Sequence, residues 1–326
     1  MNADSGFEMI RVEYLRVSVT DRCNLRCVFC RPAGDCDFLQ RQEILRFDEI
    51  HRIVRLLAEY GVRRVRLTGG EPLMRRNIAS LVRRLAATQG VEDLAITTNG
   101  VLLERMAAEL KAAGLNRVNV GLSSAQRQNY RDVTGFDFLP QVIRGVNKAI
   151  EAGLMPVKVN AVLLKGLNDD QIIALAGMSI EMPAVVRFIE YCPTTGHTRP
   201  ATDYIPNSVV RRIIERRFGT LSDTVIGYGG GPASYLRIAG SAGAIGFINC
   251  RSSCFCHTCN RLRLTSDGRI KPCLYSAVSY DMRGLLRGHA DDEQVRGVLG
   301  KILDEKHRYT KLNSFSEEFC MRKIGG

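Results

Sequence analysis

Short apolar runs with alternating polar positions recur through the first two-thirds of the chain. Each is followed by a glycine or polar turn and then by a stretch with helical spacing. RVEYLRVSVT at 11–20 reads as a strand, and Ile50, Ile53, Val54 and Leu57 fall on one helical face. VRRVRLTGGEP is a strand running into a glycine turn. The pattern continues with a helix at 76–88, strand and turn in DLAITTNG, a helix at 103–113 and the strand NRVNVGLSS. Then come a helix at about 138–152, the strand PVKVNAVLLKG, a helix near 169–180 and the strand AVVRFIEYCP. Strands separated by helices predict a parallel α/β fold. The polar and glycine-rich residues after each strand would form the catalytic rim of a barrel. Gly69, Gly70 and Gly100 are also glycines that such turns need, and the two readings agree.

Beyond about residue 218 the alternation stops. GYGGGP and AGSAGAIGF read as loop and hairpin, and a helical stretch runs to about 304. Two domains are expected, 1–217 and 218–326. The chain ends CMRKIGG, in which Met321 and Ile324 can pack and Gly325 and Gly326 let backbone approach a crowded site. A frayed terminus is the competing reading.

The 326 residues suit one large domain or one large and one small, and 45% hydrophobic content gives a full core. The formal charge of +12 points to an anionic partner: nucleic acid, phosphate or a membrane surface. Because the arginines are dispersed, a solvated basic surface or a phosphorylated small substrate is favoured over sequence-specific DNA binding. The chain is too long and too regular to need its 11 cysteines as disulfide staples. It shows neither an apolar secretory segment nor an apolar run long enough to span a bilayer. A cytoplasmic protein is expected, with neither nucleic acid nor membrane as partner.

Cys23, Cys27 and Cys30 are spaced C-x3-C-x2-C, and Cys256, Cys259 and Cys273 form a second set. Three thiolates hold three irons of a [4Fe–4S] cubane and leave the fourth iron open to a small molecule. The x3 spacing does not match paired C-x2-C zinc knuckles. Cys36, Cys192, Cys250, Cys254 and Cys320 have a small-hydrophobe role by default. Cys254 stays open as spare thiol, fourth ligand or core residue. Two rival readings are a zinc-dependent nucleic-acid-binding module and a two-cluster electron carrier, the latter favouring four thiolates per cluster.

The segment DRCNLRCVFC resembles the cluster motif of radical S-adenosylmethionine enzymes, and LTGGEP resembles their methionine-binding motif. More narrowly, LRVSVTDRCNLRC, KVNAVLLKGLNDD, RFIEYCP, FCHTCNRLRLTSDGRIKPCL and the terminal IGG resemble the molybdenum cofactor biosynthesis protein A family, the GTP 3′,8-cyclases. The resemblance runs from about residue 11 to the end. It implies an incomplete (β/α)6 TIM-like barrel of the radical SAM type with a C-terminal second-cluster domain. It implies two [4Fe–4S] clusters, on Cys23, Cys27 and Cys30 and on Cys256, Cys259 and Cys273, with S-adenosyl-L-methionine on the open iron of the first. Gly69, Gly70 and Glu71 would position the methionine moiety, and Thr98, Asn99 and Ser123 would line the cofactor site. Arg16, Arg261 and Arg263 would contact GTP near the second cluster, and Lys158 and Asn160 would line the lumen. Gly325 and Gly326 would reach into the pocket and support cofactor cleavage.

The implied reaction is radical cyclisation of GTP to 3′,8-cyclo-7,8-dihydro-GTP. Implied partners are a low-potential donor such as reduced flavodoxin, a downstream cyclic pyranopterin monophosphate synthase and a second copy of the chain. Where the family reads close to NVSLDSL, this chain has Gly121 for a serine and Ser123 for an aspartate. Cys192, Cys250 and Cys254 are further departures. They keep open a paralogue acting on another purine nucleotide.

Overall fold

In the computed structural model, residues 11–30, 37–192, 200–227, 231–253, 256–308 and 324–325 are described. The first half alternates as its apolar periodicity requires. The elements are β1 (Tyr14–Ser18), α1 (Phe47–Glu59), β2 (Arg64–Thr68), α2 (Ile78–Ala86), β3 (Asp93–Thr98) and α3 (Leu103–Ala112). Then follow β4 (Arg117–Gly121), α4 (Arg127–Thr134), α5 (Leu139–Glu151), β5 (Val157–Leu163), α6 (Ile172–Glu181) and β6 (Ala184–Glu190). β1 to β6 pair in sequence order, all parallel. α1 buries Ile50, Ile53, Val54 and Leu57, the face that its spacing marks. α4 was not expected. Only Tyr130, Val133 and Thr134 of its eight residues are buried, too few for a periodic signal.

The later elements are α7 (Asn207–Phe218), β7 (Ser222–Asp223), β8 (Ala233–Arg237), β9 (Ala244–Ile248), β10 (Arg261–Leu264), β11 (Arg269–Lys271), β12 (Tyr280–Asp281), α8 (Met282–Arg287) and α9 (Asp292–Asp304). α7 was also missed, and of its residues Asn207, Val210 and Ile214 are buried. These later strands extend the same sheet at both ends. β9 pairs parallel with β6 and carries β8 and β7, while β10 pairs parallel with β1 and carries β11 and β12. The result is a parallel partial barrel flanked on both open edges. α9 docks on α1, where Asp292 takes Arg52 Nε at 2.7 Å and also pairs with Arg55.

Strand parity sets the two faces. Leu15, Val17, Val65, Leu67, Leu94, Ile96, Val118, Val120, Val157 and Val159 point into the helix-covered core and are essentially inaccessible. The alternate positions point into the lumen and are mostly polar. Truncating Leu15 to alanine is therefore expected to cost about 2–5 kcal/mol of stability, since it leaves a cavity in this core. Urea unfolding followed by circular dichroism measures the cost.

Candidate active site: two cysteine sets across a cationic lumen

The first cysteine set follows β1 at the carboxyl end of the barrel strands. Two glycines fit it tightly to the loop after β2. Gly70 N donates to Thr20 O and Glu71 N to Arg22 O, both at 2.7 Å. A Cβ on Gly70 would lie 2.3 Å from Arg22 O, and one on Gly69, whose φ is +149°, 2.5 Å from Thr20 O. Only glycine permits that approach. Glu71 is wholly buried and gathers the rim: it accepts from Leu73 N (2.9 Å), Thr98 Oγ1 (2.7 Å) and Asn99 N (2.6 Å). Burial pushes its carboxyl up to about 7, against the pull of those donors. Asn99 Nδ2 reaches Cys23 Sγ at 3.7 Å and Asn24 Oδ1 at 2.7 Å. Gly69, Gly70, Glu71, Thr98 and Asn99 thus meet beside the first cysteine. Ser123 is spent on the fold, its Oγ accepting from Val162 N at 3.2 Å.

Cys23, Cys27 and Cys30 are half-buried thiols near enough to one another that desolvation, and then the charges of Cys30 and Cys23, hold Cys27 well above the ordinary thiol value. A cationic iron would offset both effects. Among the described residues no group of three His, Cys, Asp or Glu converges on a single metal ion. A cubane asks for a wider triangle, one thiolate at each of three corners.

The second set lies at the opposite end. β10 runs parallel to β1, and Cys256 and Cys259 immediately precede it, on one turn closed by Cys259 N to Cys256 O at 3.2 Å. Cys273 follows antiparallel β11 back to the same end. Burial opposes ionisation of Cys259, but Lys306, Arg261 and Arg263 outweigh it and bring the thiol below its ordinary value. Glu190, at the carboxyl end of β6, holds the loop that follows β9. It accepts from Arg251 N (3.0 Å), Ser252 N (2.8 Å), Ser252 Oγ (2.6 Å) and Asn207 N (3.1 Å). Cys250 Sγ donates to Glu190 O at 2.9 Å. Cys254 and Gly326 lie outside the described residues.

Between the two ends the lumen is lined with cations. In register on adjoining strands, Arg16 and Arg263 are direct neighbours, and Arg66 stands on the other side of Arg16. Arg117, Lys158, Arg187, Arg261 and Lys271 occupy the same face. Within these strands the one acid on that face is Asp93, and Arg117 binds both its oxygens, at 2.8 and 2.5 Å. Asn160 does not stand alone: its Oδ1 accepts from Arg187 Nε (2.9 Å) and Nη2 (2.6 Å), and Asn119 takes Nη2 at 3.0 Å. Burial, then repulsion from Arg263, holds Arg16 well below the usual guanidinium value. Burial lowers Arg66 and Arg263 to about 10, and burial with Arg187, Arg117 and Arg66 lowers Lys158 to about 7. Arg66 Nε is buried with no hydrogen-bond partner among the described residues. Such a set calls for a multiply charged anion.

The chain's end enters this lumen. Gly325 O accepts from Arg263 Nη1 at 3.0 Å, and its φ is +79°. A Cβ there would fall 2.0 Å from Thr68 Oγ1. Sequence reasoning missed Arg66, Arg117, Arg187, Lys271 and Glu190. The usable signal was a cation at an inward position among apolar outward ones, as in RVRLT, VKVNAVL and AVVRFIE.

A parallel partial barrel with three thiols at its carboxyl end, stitched to a Gly-Gly-Glu turn, defines a radical SAM protein. The Radical SAM superfamily model matches residues 17–178, and the Molybdenum Cofactor Synthesis C model matches 184–312. The fold resembles that of Streptococcus suis SuiB bound to S-adenosylmethionine, with a TM-score of 0.63 and 18% identity over 89% of this chain. The chain spans 68% of that SuiB chain, and 45% of SuiB in its complex with the precursor peptide SuiA. It is 42% identical to the GTP 3′,8-cyclase of Pelotomaculum thermopropionicum over 97% of this chain and 98% of that one. With the GTP 3′,8-cyclase of Heliobacterium modesticaldum it shares 43% identity over 90% of both. The chain belongs to the GTP 3′,8-cyclase family.

Two outcomes follow. Gly70→Ala should lower reconstituted iron by about half, because the added methyl separates the first cysteine loop from the turn. Gly177→Ala, whose methyl meets nothing within 4 Å, is the control. Iron analysis with circular dichroism reads both. Arg66→Met should raise the melting temperature of the nucleotide-free protein, since it removes a buried cation with an orphaned donor, while weakening GTP binding at least about tenfold. Calorimetry and equilibrium dialysis measure the opposed effects.

Proposed function

We propose that this chain is a lyase that converts GTP to 3′,8-cyclo-7,8-dihydro-GTP, the first step of molybdenum cofactor biosynthesis. The observation that carries the reading is the cation-lined lumen set between two three-cysteine sites in a chain of this family. Its cofactors are two [4Fe–4S] clusters and S-adenosyl-L-methionine. When bound and reduced, the first cluster with S-adenosylmethionine supplies a carbon radical able to take hydrogen from a ribose C–H, a step beyond side-chain acids and bases.

The chain's own residues bind, orient and seal. Cys23, Cys27 and Cys30 hold the first cluster, with Asn99 donating to Cys23. Gly69, Gly70, Glu71, Thr98 and Asn99 seat the methionine end, and Ser123 supports the rim by bracing β5. Cys256, Cys259 and Cys273 hold the second cluster beside the guanine. Arg16, Lys158, Arg261 and Arg263, joined by Arg66 and Arg187, receive the triphosphate, and Asn160 holds Arg187 in place. The height of β1 from Tyr14 to Ser18 is about 13 Å at ~3.3 Å per residue, a span that accepts an extended nucleoside triphosphate. Gly325, which lies against Thr68, closes the pocket against water and stray hydrogen donors, and the same role is proposed for Gly326, outside the described residues. We treat 1–217 and 218–326 as the two domains, since the strand–helix alternation ends at α7.

A low-potential donor such as reduced flavodoxin would dock near the first cluster, where Phe38 is 49% exposed and lies under Arg22, 5.5 Å from ring centroid to guanidinium. A cyclic pyranopterin monophosphate synthase would consume the product, and a homodimer is the expected assembly. A cytoplasmic location suits thiols kept reduced. No described helix is long and apolar enough to cross a membrane. Turning its cations inward also weakens the case for a nucleic-acid-binding surface.

Anaerobic reconstitution with dithionite, S-adenosylmethionine and 3′-deuterated GTP tests the function. Deuterium in 5′-deoxyadenosine together with a cyclised nucleotide is the expected result by mass spectrometry. Cofactor cleavage without either would turn the assignment toward another purine nucleotide.

A further inference from the structure

Tyr235 belongs to none of the six barrel strands, yet its side chain reaches the lumen. It stands on β8 opposite Gly246 of β9, and Gly246 in turn stands beside Arg187 of β6. A Cβ on Gly246 would lie 2.8 Å from Arg187 Cγ and 3.1 and 3.2 Å from Cε1 and Cδ1 of Tyr235. Space, not backbone strain, therefore requires the glycine: the ring passes over it to reach the lumen. There the hydroxyl accepts from Lys158 Nζ at 3.4 Å, and the same nitrogen is 5.5 Å from the ring centroid. Tyr235 is also close enough to Arg187 to favour its charged form, while Arg187 Nε and Nη2 donate to Asn160 and Asn119.

We propose that Tyr235, seated by Gly246, is a positioning residue that aims Lys158 and Arg187 at the phosphates of the bound nucleotide. The inference rests on the GTP reading above. A phenol suits the task because it accepts hydrogen bonds without cancelling charge. A carboxylate at the same place would neutralise one of the cations that the phosphates need. Tyr235 acts through its neighbours and takes no part in bond making. The groups facing Lys158 are Arg187 on β6, Arg117 on β4, Arg66 on β2, Asp93 on β3 and Tyr235 on β8. Burial and the three arginines lower Lys158 to about 7, and Asp93 pulls the other way. A phosphate arriving beside Lys158 favours the ammonium, so nucleotide binding above pH 7 takes up a proton.

The test is equilibrium dialysis of GTP between pH 7 and 9, on cluster-loaded, unreduced protein without S-adenosylmethionine. The unsubstituted protein should bind less tightly as pH rises and Lys158 loses its proton in the free state. Tyr235→Phe keeps the ring and its packing. It should bind roughly five- to tenfold more weakly, with the decline moved to lower pH, because a hydrogen bond favouring the ammonium is gone. Gly246→Ala should reproduce the weaker binding by displacing the ring. In turnover, Tyr235→Phe should raise KM and leave kcat unchanged. Equal affinity in Tyr235→Phe overturns the proposal, as does weaker binding with an unshifted pH profile, which would make the residue one of packing alone. Absence of GTP binding in the unsubstituted protein overturns the GTP reading and this one together.

Discussion

The structure is organised by one electrostatic constraint: on the lumen face of the described strands, positive charge far outnumbers negative. Arg16 and Arg263 are adjacent in register, and Arg66 flanks Arg16 on the other side. Asp93 is already taken by Arg117. Burial first, and then repulsion among the like charges, lowers Arg16, Arg66, Arg263 and Lys158. The apolar layer behind the strands holds them together despite this. An anion with several charges converts the repulsion into binding, which is how a site gains affinity from stability it forgoes.

The ends of the lumen follow from strand direction. A loop after a parallel strand and a loop before one must lie at opposite ends of the sheet. Cys30 follows β1, and Cys259 precedes β10, which is parallel to it, so the two cysteine sets cannot meet. Two buried acids organise the loops at the carboxyl end of the strands. Glu71 ties three segments of the rim beside the first set, and Glu190 ties the loop after β9 to the end of β6. Both are buried acids saturated by donors, so each fixes loop geometry and adds little free negative charge to the lumen. The chain's end spans the gap, from Arg263 on β10 to Thr68 on β2.

Much of this was legible. The cysteine spacings, the Gly-Gly-Glu turn and the alternation of Arg261 and Arg263 with Leu262 and Leu264 are local patterns, and local patterns survive in one sequence. The strand–helix order was readable because both faces of each parallel strand differ in polarity. What could not be read was the pairing of β10 with β1 across some 240 residues, which makes neighbours of Arg16 and Arg263. The same limit hid Tyr235, whose role exists only once β8, β9 and β6 are side by side. Arg66 and Arg187 were readable by parity alone. They were passed over because a single arginine in a strand is usually surface, and here the arginine face is the inside.

The departures at β4 gain meaning from the same constraint. Gly121 points inward at the rim with room to spare, since the nearest atom to an added Cβ is Thr98 O at 3.8 Å. Its lost hydroxyl is therefore not replaced in place. Nor does Ser123 move it elsewhere, because that hydroxyl is occupied by Val162 N. Ser123 stands where the resembled NVSLDSL pattern has an aspartate, so this chain carries one negative charge fewer near a cation-rich lumen. That difference raises the local positive potential and leaves the lumen's arginines and lysine untouched. A change that reads in sequence as damage to a cofactor site is, in the folded chain, a further step in the direction that the lumen already takes.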